Sequence, residues 1–181
     1  MRALVVYESM YGNTHAIADA IAAGLGPPDR VSAVPVGDVK PEELAGIDLL
    51  VVGGPTHAHG MSRSSTRRSA LDAARRPAAT VAIDPSADGQ GLREWFAGVR
   101  RLDCAAVAYD TRMRGPAVFT GRASKGIARM LRRHGANVLA GGESFFVTKD
   151  NRLVPGEAAR ARLWGSRLAE TLSSSKSAVA L

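Results

Sequence analysis

The sequence predicts an α/β protein: a three-layer, doubly wound parallel sheet of five strands with helices on both faces. Three observations carry that prediction. Apolar runs of strand length recur five times, stretches with a helical period separate them, and Gly or Pro marks most junctions. Strands alternating with helices imply parallel pairing through right-handed crossovers.

Ala3–Val6 is apolar throughout and ends at Tyr7, as a strand buried on both faces should. A polar loop follows, Glu8-Ser9-Met10-Tyr11-Gly12-Asn13-Thr14. A helix near 14–24 then begins, with Ile17, Ile21 and Leu25 on one face and Asn13 or Thr14 as its N-cap. Gly26-Pro27-Pro28 ends it. Val31–Val36 is the second strand and Leu49–Val52 the third. Helical stretches near 62–74 and 90–99 form the next crossover in two pieces, with Ala70, Leu71, Ala74, Trp95 and Phe96 as core positions. A polar link at 75–90 joins them, and within it Val81-Ala82-Ile83 packs locally. Cys104–Ala108 is the fourth strand, and Cys104 reads as a small core residue. After Gly115-Pro116, Thr120 caps a helix over 121–134. Asn137–Val147 is the fifth strand, interrupted at Gly141-Gly142. Past Pro155-Gly156 a helix covers 156–172. Residues 1–172 form one domain, and 173–181 are a flexible tail.

The chain has 181 residues, enough for a sizeable single core, and 45% are hydrophobic, which argues against disorder. The start lacks the apolar stretch of a signal peptide, and no run is long enough to span a membrane. One cysteine excludes an internal disulfide framework, so the expected compartment is the cytoplasm. The net charge is +7, carried mostly by Arg. Clusters at Arg63, Arg67 and Arg68, at Arg75 and Arg76, at Arg100 and Arg101, and at Arg129, Arg132 and Arg133 read as helix faces in water. No nucleic-acid motif accompanies them.

In such a sheet a ligand binds beyond the carboxyl ends of the strands, where the crossovers change direction. Three loops therefore matter. The first sits at a helix N-terminus, where unpaired N–H groups and the positive dipole end favour an anion. It contains no Lys or Arg, so a phosphate there meets neutral donors. In the second, Gly53–Met61, Pro55 stiffens the turn, Thr56 and the backbone N–H groups after it can hydrogen-bond a planar heterocycle, and His57, His59 and Met61 can lie against its face or edge. The third offers Asp110, Thr111 and Arg112, with Arg114 nearby. His57 and His59 lack the further ligands that a metal site needs. Gly121–Gly126 lacks the Gly-Lys-Ser/Thr ending of a nucleotide P-loop.

On these residues the chain resembles the flavodoxin-like family. Ser9, Gly12, Asn13 and Thr14 are similar to the family's Ser/Thr-x-Thr-Gly-x-Thr phosphate loop, with Tyr11 in place of the middle Thr. Ser9-Met10-Tyr11-Gly12, Gly54-Pro55-Thr56 and Gly60-Met61-Ser62 look like flavodoxin-like NAD(P)H:quinone oxidoreductases. The resemblance implies strand order 2-1-3-4-5 and an FMN cofactor. Its phosphate would lie on Ser9, Met10, Tyr11, Gly12, Asn13 and Thr14, and its ring by Pro55, Thr56 and His57. Asp110, Thr111 and Arg112 are placed by topology alone. Two departures matter: the chain is basic where electron-carrier flavodoxins are acidic, and its second loop offers no aromatic residue for stacking.

The function so implied is an FMN-dependent oxidoreductase passing electrons from a reduced nicotinamide, or from a reductase, to a quinone-like or protein acceptor. No acid–base pair is needed, because the cofactor carries the chemistry. Positive surroundings predict a less reducing flavin that favours two-electron transfer. The alternatives are an electron carrier docking an acidic partner, a quinone-linked protoporphyrinogen oxidase and a non-enzymatic flavodoxin-like binding module. A receiver domain is disfavoured by Gly53-Gly54-Pro55 where an acceptor Asp would stand. Nucleic acid is not an expected partner. A homo-oligomer is left open.

Overall fold

A computed structural model describes residues 1–57, 59–76 and 81–179. Its elements in chain order are β1 (Ala3–Tyr7), α1 (Asn13–Leu25), β2 (Val31–Pro35), β3 (Leu49–His57), β4 (Gly60–Met61), α2 (Ser64–Ala74), α3 (Leu92–Gly98), β5 (Ala105–Met113), α4 (Ala117–Thr120), α5 (Ala123–Arg133), β6 (Asn137–Val138), β7 (Glu143–Val147) and α6 (Glu157–Val179). Two 3-10 turns, Val36–Asp38 and Pro41–Leu44, lie between β2 and β3.

The strand order is β2-β1-β3-β5, with β6 and β7 both beside β5. All pairs are parallel except the short β3–β4 hairpin. The expected order is therefore observed. The interruption at Gly141-Gly142 splits the fifth strand into two pieces on one edge.

Alternate residues of each strand point to opposite faces, and the core divides accordingly. On one face Val5, Leu49, Val51, Val107 and Tyr109 pack under Ile17 and Ile21 of α1 and Leu168 of α6. On the other, Leu4, Val6, Leu50, Val52 and Ala106 pack under Leu92 and Phe96 of α3 and Ile127 and Leu131 of α5. Each fully buried large apolar side chain stabilises the fold by about 1.5–3 kcal/mol. Helices on both faces leave the carboxyl ends of β1, β3 and β5 facing one end of the sheet.

Several expectations need correction. β3 and β5 run past Val52 and Ala108, because Gly53, Gly54 and Pro55 pair in register with Tyr109, Asp110 and Thr111. The backbone ladder continues where the apolar signal stops. Helix α2 is not a core helix: its only buried residue is Arg67, and Leu71 and Ala74 are half-buried. Trp95 and Phe96 do lie in the core. Val81-Ala82-Ile83 is irregular and at most half-buried. Neither Asn13 nor Thr14 caps α1, whose N-cap is Gly12. Thr120 ends α4 rather than capping α5, whose N-cap is Arg122. The last helix does not stop at Leu172 but reaches Val179. Cys104 is half-buried beside the α3/α5 core, and burial with the Asp103 charge pushes its thiol pKa up. A thiol so shifted is a poor nucleophile.

Candidate functional site

A cleft of about 340 Å³ opens at the carboxyl ends of β1, β3 and β5. That volume is within the ordinary range of small-molecule sites. The first loop supplies Met10, Tyr11, Asn13 and Thr14. β3 supplies Pro55, Thr56 and His57, and β5 supplies Thr111, Arg112 and Met113. Nine of the twelve residues expected at a cofactor site thus converge on one cleft. Ser9, Gly12 and Asp110 are not among its walls.

The first loop is built to hold α1 open at its N-terminus. The chain turns through Gly12 at φ 78°, a left-handed conformation that glycine adopts without strain. The Ser9 hydroxyl accepts the Gly12 N–H at 3.1 Å, so Ser9 shapes the turn from within. α1 has no side-chain cap and no acidic residue in its first turn. Its leading N–H groups have no intrahelical partner, and the dipole there is not offset by a carboxylate of that turn. The side chains of the first turn are tied down elsewhere. Asn13 Nδ2 donates to the Asn151 carbonyl at 2.7 Å, and the hydroxyls of Thr14 and Thr111 share a hydrogen bond of 2.7 Å. Tyr109 OH donates to the Thr14 carbonyl at 3.3 Å, which ties the start of α1 to the centre of the sheet.

Asp84 and Ser86 clamp the same loop from behind. The Asp84 N–H donates to the Met10 carbonyl at 2.9 Å. Burial pushes the Asp84 carboxyl pKa up. Hydrogen bonds from the Ser86 hydroxyl (2.6 Å) and N–H (2.9 Å), then from Ser9, together with the His15 charge, outweigh it and bring the pKa below its ordinary value. His15 approaches Asp84 at 3.1 Å and stacks on Tyr7 with ring centroids 4.5 Å apart. A depressed carboxylate adds stability above its unfolded pKa and loses it as pH falls through the folded value. Asp84→Asn is therefore expected to cost about 2 kcal/mol near neutral pH. In chemical denaturation the gap between variant and wild type should shrink as pH falls from about 7 to about 3. A gap that stays constant over that range would remove the ionised Asp84 from the loop's support.

The two other segments come from strands rather than loops. Thr56 Oγ1 accepts the Ala123 N–H at 3.0 Å, which couples β3 to the start of α5. Burial lowers the His57 pKa, and Arg67 lowers it further against an opposing pull from Glu8. His57 therefore presents a neutral ring to the cleft near neutral pH. His59 and Met61 do not join it. His59, at φ 71°, lines a separate cavity, and Met61 is buried in the core. On β5, Asp110 points to the opposite face, where Oδ2 accepts the Ser124 N–H at 2.8 Å. Arg112 reaches the cleft. Its Nη1 donates to Thr120 Oγ1 at 2.7 Å and to the Gly115 carbonyl at 2.9 Å, and its guanidinium lies 5.0 Å from the Phe146 ring centre. Its Nε is buried and meets no acceptor among the described residues.

Five wall residues escaped the sequence reading: Thr66, Ala70, Met113, Val147 and Asn151. Thr66 and Ala70 show that α2 borders the cleft, and Tyr11 OH donates to the Ala70 carbonyl at 3.2 Å. Asn151 sits at φ 53° in a tight turn, a conformation Asn tolerates, and Lys149-Asp150-Asn151 was its only local signal.

The walls hold no carboxylate among the described residues, one guanidinium and several neutral donors. An uncapped helix N-terminus at one end suits a phosphate. The buried, unpaired Arg112 Nε suits a polar or anionic edge. The residues present therefore fit a phosphorylated, partly apolar ligand such as FMN.

Comparisons with known proteins agree with this geometry. The family model for flavodoxin matches residues 5–82, which include the first loop and β3. A flavodoxin from the domain Archaea superimposes with a TM-score of 0.62 at 20% identity, covering 96% of this chain and 99% of that one. Oxidised Flavodoxin 1 from Bacillus cereus gives 0.62 at 15% identity, covering 94% and 98%. A flavodoxin, WrbA-like protein from Agrobacterium tumefaciens gives 0.54 at 18% identity, covering 96% and 98%. A search of curated protein sequences gives no significant match. Proteins of the flavodoxin family bind FMN and transfer electrons. This sheet order and these likenesses show the flavodoxin-like fold, and the stretch that carries the first loop and β3 is similar to the flavodoxin family.

Proposed function

We propose that this chain is an FMN-dependent oxidoreductase that moves electrons from a reduced nicotinamide to a quinone-like acceptor. The observation that carries the proposal is the convergence of the uncapped α1 N-terminus with the ends of β3 and β5 around one cleft. The N–H groups of Asn13 and Thr14, shaped by Ser9 and Gly12, would hold the phosphate. Pro55, Thr56 and His57 on one side, with Thr111 and Arg112 on the other, would hold the ring. Asp110 supports this wall from behind by anchoring α5. Bound FMN supplies the hydride- and electron-accepting chemistry, so the chain needs no acid–base pair of its own.

The chain's own contribution is electrostatic. Acidic flavodoxins surround a reduced, negatively charged flavin with like charge. Here the walls offer Arg112 and no carboxylate among the described residues. Opposite charge stabilises the reduced anion and makes the flavin easier to reduce. A redox titration of the loaded protein is expected to show one two-electron transition. Steady-state assay should show turnover with a nicotinamide and a quinone. Two well-separated one-electron steps with a very negative second potential, and no nicotinamide turnover, would contradict the proposal.

An electron carrier for an acidic protein is the second reading. It is favoured by α4, which exposes Val118 (78%) and Phe119 (74%) beside the residues that hold Arg112. Exposed apolar anchors next to cations suit a transient protein contact. Rapid reduction by a reductase protein, with slow turnover on both nicotinamides, would select it. The absence of any helix long and apolar enough to cross a membrane, among the described residues, leaves both readings open.

A further inference from the structure

A second cavity, of about 580 Å³, lies on the far side of the β3–β4 hairpin. Five cations line it: Arg93, Arg122, Lys125, Arg129 and Arg133. His59 adds a sixth ionisable group, and among the described residues no carboxylate lines the walls. Three acids adjoining these segments are engaged elsewhere. Glu8 accepts from Ser62 and from the Leu92 N–H, Glu94 pairs with Arg67, and Glu143 pairs with Arg160.

These cations are arranged, not scattered. Lys125, Arg129 and Arg133 stand four residues apart on one face of α5, one turn or about 6 Å between neighbours. Like charges at that spacing disfavour a helix, and α5 contains no Asp or Glu to offset them. Arg93 and Arg122 are held by the backbone. Arg93 donates to the Ser62 carbonyl at 2.8 Å and the Met61 carbonyl at 3.3 Å. Arg122 donates to the Gly142 carbonyl at 2.8 Å and to Ser144 Oγ at 3.2 Å. Each guanidinium is thus fixed while keeping its remaining Nη1 donors for an anion.

The cavity also adjoins the flavin cleft. His57 and Thr56 line the cleft, and their partners across the hairpin, Gly60 and Met61, line the cavity. The wall between them is one strand spacing, about 4.8 Å. A concave site with cations supplied by α3, α5 and the residue before α5 suits a compact polyanion better than a protein surface.

We propose that this cavity binds the phosphate groups of a polyphosphate-bearing small molecule. Resting on the reading of the cleft as a nicotinamide-fed flavin site, it holds the pyrophosphate and the ribose 2′-phosphate of the donor. The phosphorylated dinucleotide, NADPH, is then preferred over NADH.

The test titrates inorganic tripolyphosphate into the full chain by calorimetry, for wild type and for Arg129→Ser/Arg133→Ser. Both arginines are exposed and make no side-chain hydrogen bond or ion pair within the described residues, so the double variant should fold. Wild type is expected to bind tripolyphosphate with an affinity that falls as salt rises. The double variant should bind about tenfold or more weakly. Tripolyphosphate should raise the apparent KM for NADPH without lowering kcat, and the variant should lose the preference for NADPH. No tripolyphosphate binding, or binding unchanged in the variant, would overturn the proposal, as would loss of affinity for an acidic protein alone. If tripolyphosphate binds through these arginines but neither nicotinamide is oxidised, the anion site stands and the donor assignment fails.

Discussion

Gly53→Ala is expected to lower the stability of the fold by about 3 kcal/mol. For a domain of this size that corresponds to a fall in Tm of roughly 6–12 °C. A Cβ at Gly53 would lie 1.9–2.4 Å from ring atoms of Tyr109. That ring is fully buried under α1 and α6, against Phe145, and it cannot withdraw without opening the core. The effect should reach the site as well. Tyr109 OH holds the Thr14 carbonyl, so a displaced ring loosens the N-terminus of α1 where the phosphate is proposed to bind. Gly60→Ala is the matched control. A Cβ there meets nothing within 4 Å, and the substitution should change stability by less than about 0.5 kcal/mol. Equal Tm values for Gly53→Ala and wild type would mean that the ring does not sit over the third strand.

Asn13→Asp is expected to weaken FMN binding on the order of 100-fold while leaving the apoprotein nearly as stable as wild type. The two effects have opposite electrostatic signs. A carboxylate in the first turn of α1 complements the helix dipole, a gain of about 0.3–1 kcal/mol. It also removes the donor to the Asn151 carbonyl, a loss of about 1 kcal/mol. These nearly cancel. Against a bound phosphate, the same charge about 5 Å away costs about 3 kcal/mol at the effective dielectric of a partly exposed site. Thermal unfolding of the apoprotein and fluorescence titration with FMN separate the two terms. Unchanged FMN affinity would place the phosphate elsewhere.

Much of the fold was legible because both of its periodicities are strong. The apolar runs at Ala3–Val6 and Leu49–Val52 can only be buried between two helical layers, and Ile17, Ile21 and Leu25 mark the inner face of α1. The cleft was legible to the extent that it follows strand ends. Sheet topology brings Thr14, Thr56 and Thr111 together whatever the side chains do. What stayed hidden depends on long-range pairing. Asp84 meets the Met10 carbonyl from 81–91, a segment without helix or strand, and nothing local in Asp84-Pro85-Ser86 names that partner. Asp110 looked like a loop ligand because its strand continues past the apolar run. In register it faces α5 instead. The basic residues of α5 read as a solvated face because helical spacing shows that they align, not that Arg93 and Arg122 close around them.

Titration of the purified protein with FMN and with riboflavin, followed by flavin fluorescence, tests the central claim most directly. The two ligands differ by the phosphate alone. An α1 N-terminus that receives it predicts saturable binding of FMN at one equivalent, roughly 100-fold or more tighter than riboflavin. A chain that binds neither, or that binds both equally, would contradict the account.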